Sequence, residues 1–356
     1  MNKPVSPEVL IDALVADPSL LLQNIDLVGG GSMFVRITEE IYKASMFLDN
    51  RLQVKNPQTH ITNLWPLAEL VGKRIPEQAP LNFVFHVGHC GSTMMSRMLE
   101  DLGGVLALRE PLPLRWLAGA ARELNTPLAQ LDEDRYLQLQ TLLLRLYART
   151  YRNSDTALIK ATSDCSFIAD RLLATHPSNK AVLLYVSLDT FLTGMLRSDL
   201  RRQETLQFSQ SRLHDLHSVI GAEHIRLFEL DVAQKTAVSW LANVALLHKL
   251  TEQKSAEQCL FMNFETFLSE PVPFFKKMTE FLQMDVGDKQ IEQVVFGPII
   301  QAYSKDPNFP YNPAARAAEL NEARQKYGEE IKAAYDWANQ ICERFPALHN
   351  LKQFFN

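Results

Sequence analysis

Long apolar runs are scarce in this sequence. Ala181 to Val186 and Leu241 to Leu247 are short beside the ~20 residues that cross a bilayer, so no membrane span is expected. Cysteine is also sparse. Cys90, Cys165, Cys259 and Cys342 are scattered, with no CxxC pair and no metal-ligand spacing. That pattern excludes a disulfide framework or a zinc ribbon, and a reducing cytoplasm is the expected compartment. The first residues, Met1-Asn2-Lys3-Pro4, lack the basic start, apolar run and cleavage site of a signal peptide. Excess charge is small, with 36 Lys and Arg against 41 Asp and Glu, a net of −5. This argues against a protein that coats nucleic acid by bulk charge and leaves room for a local basic pocket. Internal repeats and low-complexity segments are absent.

What is present is ordinary globular composition, 46% hydrophobic and 22% charged over 356 residues. At about 150 residues per domain, that length allows two domains or one large α/β domain with appendages. Residues 1–79 read as an accessory segment: Pro7 to Ala16 as an amphipathic helix, Gly29-Gly30-Gly31 as a tight turn, Phe34 to Ile37 as a strand. From residue 80 to 304 apolar strands alternate with helices. The strands are Phe83–Val87, Val105–Leu108, Ala157–Lys160, Ala181–Val186 and Cys259–Asn263. The helices are Thr93–Leu102, Gln130–Tyr151, Ser166–Thr175, Thr190–Arg202, Ala233–Lys249 and Val272–Leu282. Such alternation predicts parallel βαβ units, hence an α/β fold with a parallel sheet covered on both faces. Residues 305–356 read as a charged C-terminal helical extension.

The most informative stretch is His86-Val87-Gly88-His89-Cys90-Gly91-Ser92-Thr93-Met94. It joins the first apolar strand to a helix, where backbone N–H groups and the helix dipole converge into an anion site. A tight turn with a Ser/Thr cap is the plain alternative. Its place after the first strand of a βαβ series favours ligand binding, because such sheets bind ligands at their carboxyl edge. A nucleoside-triphosphate loop fits badly: His86 stands where the leading Gly belongs and Ser92 where the Lys belongs.

The segment resembles the 5′-phosphosulfate loop of the sulfotransferase family, its bacterial and Golgi-type branch in particular. Four further stretches follow in family order: Leu108-Arg109-Glu110-Pro111, Ala157-Leu158-Ile159-Lys160, His176-Pro177 with the strand to Ser187, and Phe264-Glu265-Thr266-Phe267-Leu268-Ser269-Glu270-Pro271. The resemblance spans about residues 82–284. It implies a three-layer α/β/α fold of the P-loop nucleotide-hydrolase-like kind, with the first strand central and N- and C-terminal helical extensions. It also implies 3′-phosphoadenosine 5′-phosphosulfate (PAPS) as co-substrate, no catalytic metal, and a small-molecule or glycan acceptor. On this resemblance Gly88, Cys90, Gly91, Ser92, Thr93 and Met94 hold the 5′-phosphosulfate, Glu110 is the base, and His89 and Lys160 neutralise the leaving phosphate.

Two departures stand out. The family keeps Lys or Arg where this chain has His89, and an Arg after the fourth strand where this chain reads Val186-Ser187-Leu188-Asp189-Thr190. Arg197, Ser198 and Arg201 come slightly later, with the two arginines expected on one helix face, and Lys305 lies beyond the last strand as a phosphate contact. A kinase or nucleotide hydrolase using Asp189 for a metal, and a catalytically silent binding module, are the competing functions. Glu110 has the alternative of a salt bridge to Arg109 or Arg115. His86 and Trp240 are expected in the core.

Overall fold

The computed structural model describes residues 4–75, 77–221, 224–301 and 313–356. The chain divides into two compact units: residues 1–84, 93–181 and 282–286 form one, and residues 85–92, 182–281 and 287–356 the other. Lys305 lies outside the described residues.

Eight strands run in chain order as β1 (Leu20–Asp26), β2 (Gly31–Arg36), β3 (Thr59–Asn63), β4 (Leu81–His86), β5 (Val105–Arg109), β6 (Thr156–Lys160), β7 (Lys180–Tyr185) and β8 (Cys259–Asn263). The last five make a parallel sheet flanked by helices, in the order β5-β6-β4-β7-β8. The first strand of the βαβ series is therefore central, as expected. All six residues of β4 are buried, the state that parallel sheets covered on both faces impose on their strands. Parallel register pairs Val84 with Lys160, and Arg109 with Lys160. Val84, Lys160 and Arg109 thus lie in one row across β4, β6 and β5.

The N-terminal segment holds more than its expected helix, Pro7–Ala16. β1, β2 and β3 form an antiparallel sheet, of which the sequence reading named only β2. The β1–β2 turn is built by Asp26, whose carboxylate accepts from the N–H of Val28 at 3.0 Å and of Gly29 at 2.8 Å. β1 escaped notice because Leu20 to Gln23 are all buried and a bulge falls between Leu22 and Asn24. No alternation survives there to be read.

One helix is additional to those expected, and one expected helix is two. Leu112–Glu123 is a helix that the prolines at 111 and 113 disguised, since proline is welcome in a helix's first turn. The single helix expected from Thr190 to Arg202 is two, Leu188–Leu196 and Asp199–Ile220. Ser198, with φ −133° and ψ 128°, is extended and starts the second. Arg197 and Arg201 therefore do not share one helix face. The C-terminal extension is helical as expected: Pro313–Arg344, kinked at Tyr327, then a 3₁₀ segment Pro346–Phe354. No described helix is long and apolar enough to cross a membrane.

Candidate functional site

The loop after β4 is shaped by backbone conformation. Gly88, His89 and Gly91 have φ of 81°, 50° and 80°, the left-handed region that favours glycine. At Gly91 there is a second constraint, because a Cβ would overlap the Phe264 ring. Left-handed residues in a short turn can bring successive N–H groups into one concavity, a geometry that suits anions. Gly88, His89 and Gly91 are part-exposed while Val87 and Cys90 are buried, so the turn is anchored from within. Val87 N–H donates to the Leu184 carbonyl at 3.2 Å, and the Cys90 thiol lies 3.7 Å from the same oxygen.

Ser92–Asp101 is the helix that follows. Its first amides have no intrahelical acceptor. The Ser92 and Thr93 hydroxyls are uncommitted among the described residues. Met94 is buried and fixes the helix from its apolar side. His86 is buried as expected and accepts from Gly88 N–H at 2.9 Å through Nδ1. His89 carries a partner that the sequence did not reveal: its Nε2 lies 2.9 Å from Glu204 Oε2.

Glu110 follows β5 directly, with φ 54°, a conformation that costs a non-glycine residue about 1–2 kcal/mol. Its N–H donates to the Lys160 carbonyl at 2.7 Å. The carboxylate is clasped on both sides: Lys160 Nζ donates to Oε1, and Arg51 Nη2 to Oε2 at 3.0 Å. Lys160 is 2% exposed and Glu110 12%. Lys160 and Glu110 are thus brought together. Arg109 instead pairs with Glu100 and donates to the Tyr42 and Ser45 carbonyls, and Arg115 approaches Asp49 at 4.0 Å.

The basic residues after β7 are engaged elsewhere. Arg197 pairs with Glu319, and Arg201 donates to the Gly194 carbonyl. Neighbouring Arg202 holds Glu330 with two hydrogen bonds, at 2.7 and 2.6 Å. Ser198 makes no side-chain cap to its helix. Asp189 binds Arg324 through Nε at 3.1 Å and Nη2 at 2.6 Å, an arrangement that does not suit a metal-holding aspartate. The N-terminus of Leu188–Leu196 is itself occupied. Glu265 accepts there from Ser187 N–H at 2.8 Å and from the Thr190 hydroxyl at 2.5 Å. Trp240 is fully buried as expected and donates to the Val186 carbonyl at 2.8 Å. Among the described residues no group of three or more His, Cys, Asp or Glu side chains could hold a metal ion.

No protein-family model matches the chain, and no curated protein matches it. Solved structures do. One is the sulfotransferase domain from the curacin biosynthetic pathway, at 12% identity over 71% of this chain and 99% of that one, TM-score 0.42. Another is the sulfotransferase STF9 from Mycobacterium avium, at 12% identity over 92% of this chain and 97% of that one, TM-score 0.38. A third is mouse sulfotransferase SULT7A1 complexed with PAP, at 12% identity over 66% and 71%, TM-score 0.32. Each of these solved structures, to which the chain is similar, is a sulfotransferase.

Proposed function

We propose that this chain is a sulfotransferase that moves a sulfuryl group from PAPS to a hydroxyl or amine acceptor by in-line displacement. The observation that carries the reading is the loop on the central strand, with its left-handed residues, part-exposed backbone and helix start. These features suit the 5′-phosphosulfate of the donor, which supplies the activated sulfuryl group. Gly88, Cys90, Gly91, Ser92, Thr93 and Met94 are the proposed donor contacts, through backbone N–H groups and the two hydroxyls.

His89 is the proposed cation at this loop, with Glu204 Oε2 against its Nε2. Glu110 accepts the acceptor's proton. Its two ion pairs hold it in orientation. Lys160, anchored by Glu110, is the second cation proposed to offset charge on the departing phosphate. Arg197, Ser198, Arg201 and Lys305 remain proposed contacts of the 3′-phosphate end. For Arg197 this requires exchange of Glu319 for the phosphate, which is a small cost because exposed ion pairs contribute only about 0–1 kcal/mol.

Calorimetric titration with 3′-phosphoadenosine 5′-phosphate, run without magnesium and against ATP with magnesium, tests the reading. Binding of the bisphosphate alone is the expected result, accompanied by sulfuryl transfer from PAPS to at least one member of a broad hydroxyl and amine panel. Binding of ATP with magnesium in its place would favour a kinase or hydrolase. Bisphosphate binding with no transfer to any acceptor would favour a silent binding module.

A further inference from the structure

Arg51 lies in the N-terminal segment, ahead of β3. Its guanidinium lies on the Phe47 ring, with Cζ 3.4 Å from the centroid. Nε donates to Asp49 Oδ1 at 2.8 Å, and Nη2 to Asp49 Oδ2 at 2.5 Å and to Glu110 Oε2 at 3.0 Å. Among the described residues Nη1 has no hydrogen-bond partner, and the side chain is 51% exposed. A half-exposed arginine ordinarily samples many rotamers. This one is fixed by two carboxylates and an aromatic face before any ligand arrives, so binding an anion costs it little further ordering. Its spare N–H pair matches a carboxylate or sulfate oxygen. Lys160 on the other oxygen of Glu110, and Arg115 at 4.0 Å from Asp49, bring the cations around these two carboxylates to three.

We propose that Arg51 determines acceptor specificity: it binds an oxyanion group of the acceptor, so the acceptor is an acidic molecule whose hydroxyl or amine lies close to that acid group. The inference rests on the reading of Glu110 as the group that meets the acceptor, because Arg51 shares that carboxylate. The guanidinium both orients Glu110 and selects for the charge of the molecule brought to it.

The test compares matched probes by calorimetry: ortho-hydroxyphenylacetate with 2-(2-hydroxyphenyl)ethanol, and glucuronate with glucose, on wild type, Arg51→Gln and Arg51→Lys. In at least one pair, wild type is expected to bind the acid about tenfold more tightly than the neutral partner, as a charge-assisted contact implies. Arg51→Gln should erase that preference, and Arg51→Lys should keep part of it. Affinity for 3′-phosphoadenosine 5′-phosphate should change by less than about twofold in either variant, which also reports correct folding. The proposal is overturned if wild type shows no preference in either pair, or if Arg51→Gln keeps the preference. Failure of wild type to bind the bisphosphate would sink the sulfotransferase reading instead, and the acid preference, measured without nucleotide, would still decide Arg51.

Discussion

Two sets of ion pairs in this molecule look alike on paper and differ in what they do. At the carboxyl ends of β5 and β6, Arg109 pairs with Glu100 at 1% and 5% exposure, and Lys160 with Glu110 at 2% and 12%. Beyond β7, Arg197 pairs with Glu319 at 27% and 55% exposure. Removing one partner of a buried pair strands a charge in low dielectric and costs about 3–5 kcal/mol. Removing one partner of an exposed pair costs about 0–1 kcal/mol. The buried set is therefore suited to holding a carboxylate and a lysine in one geometry, as the proposed roles of Glu110 and Lys160 require. The exposed set is suited to being exchanged for a ligand's phosphate.

The sharpest test of that contrast is Arg109→Met. It leaves Glu100 buried without its partner, together with the carbonyls of Tyr42 and Ser45. Urea unfolding should show a loss of about 3–5 kcal/mol. A loss below about 1 kcal/mol would erase the distinction between the two sets.

Glu110→Gln keeps the side-chain shape and removes its basicity. Turnover with PAPS should fall roughly 100-fold, with bisphosphate affinity nearly unchanged. Equal loss of both would recast Glu110 as an anchor for Lys160 and Arg51.

Gly91→Ala addresses the loop itself. The φ of 80° and the overlap with Phe264 act together, and a destabilisation of about 2 kcal/mol or more is expected, of which about 1–2 kcal/mol comes from the left-handed backbone. Phe264→Leu in the same chain should recover the steric part alone, leaving the backbone part, as read from the two unfolding midpoints.

A pH scan separates buried from exposed groups by another route. Burial pushes the Cys165 thiol up to about 12, above the ordinary thiol value of about 8.5. The folded state then binds this proton more tightly than the unfolded state. Its contribution is complete below the ordinary value and is lost as pH rises toward 12. Between pH 8 and 10 the stability of wild type should drop by about 2 kcal/mol more than that of Cys165→Ala. Parallel curves for the two proteins would show that the thiol is not buried in the folded state.

The smallest effect is expected at the exposed set. Arg197→Ala should change unfolding stability by no more than about 0.5 kcal/mol, while weakening the bisphosphate severalfold. Unchanged nucleotide affinity would remove Arg197 from the proposed donor site.

The sequence determined the parallel sheet, because buried strands read as unbroken apolar runs such as Phe83 to Phe85 and Ala181 to Leu184. It also placed the glycine-rich loop between β4 and its helix, because glycine spacing between a strand and a helix is a local property of the backbone. The antiparallel sheet β1-β2-β3 was hidden by a strand buried along most of its length and by a bulge. The break at Ser198 was hidden because no proline or glycine marks it in Leu196-Arg197-Ser198-Asp199.

The partners at the candidate site were the least legible part. Lys160 reaches Glu110 across 50 residues, Arg51 reaches it across 59, and Glu204 meets His89 across 115. No period or motif encodes such distances. Which carboxylate an arginine finds depends on how the chain returns through space. Only tertiary structure decided that Glu110 is held by Lys160 and Arg51 while Arg109 turns to Glu100, because burial forces each charge to take the nearest opposite one that folding brings within reach.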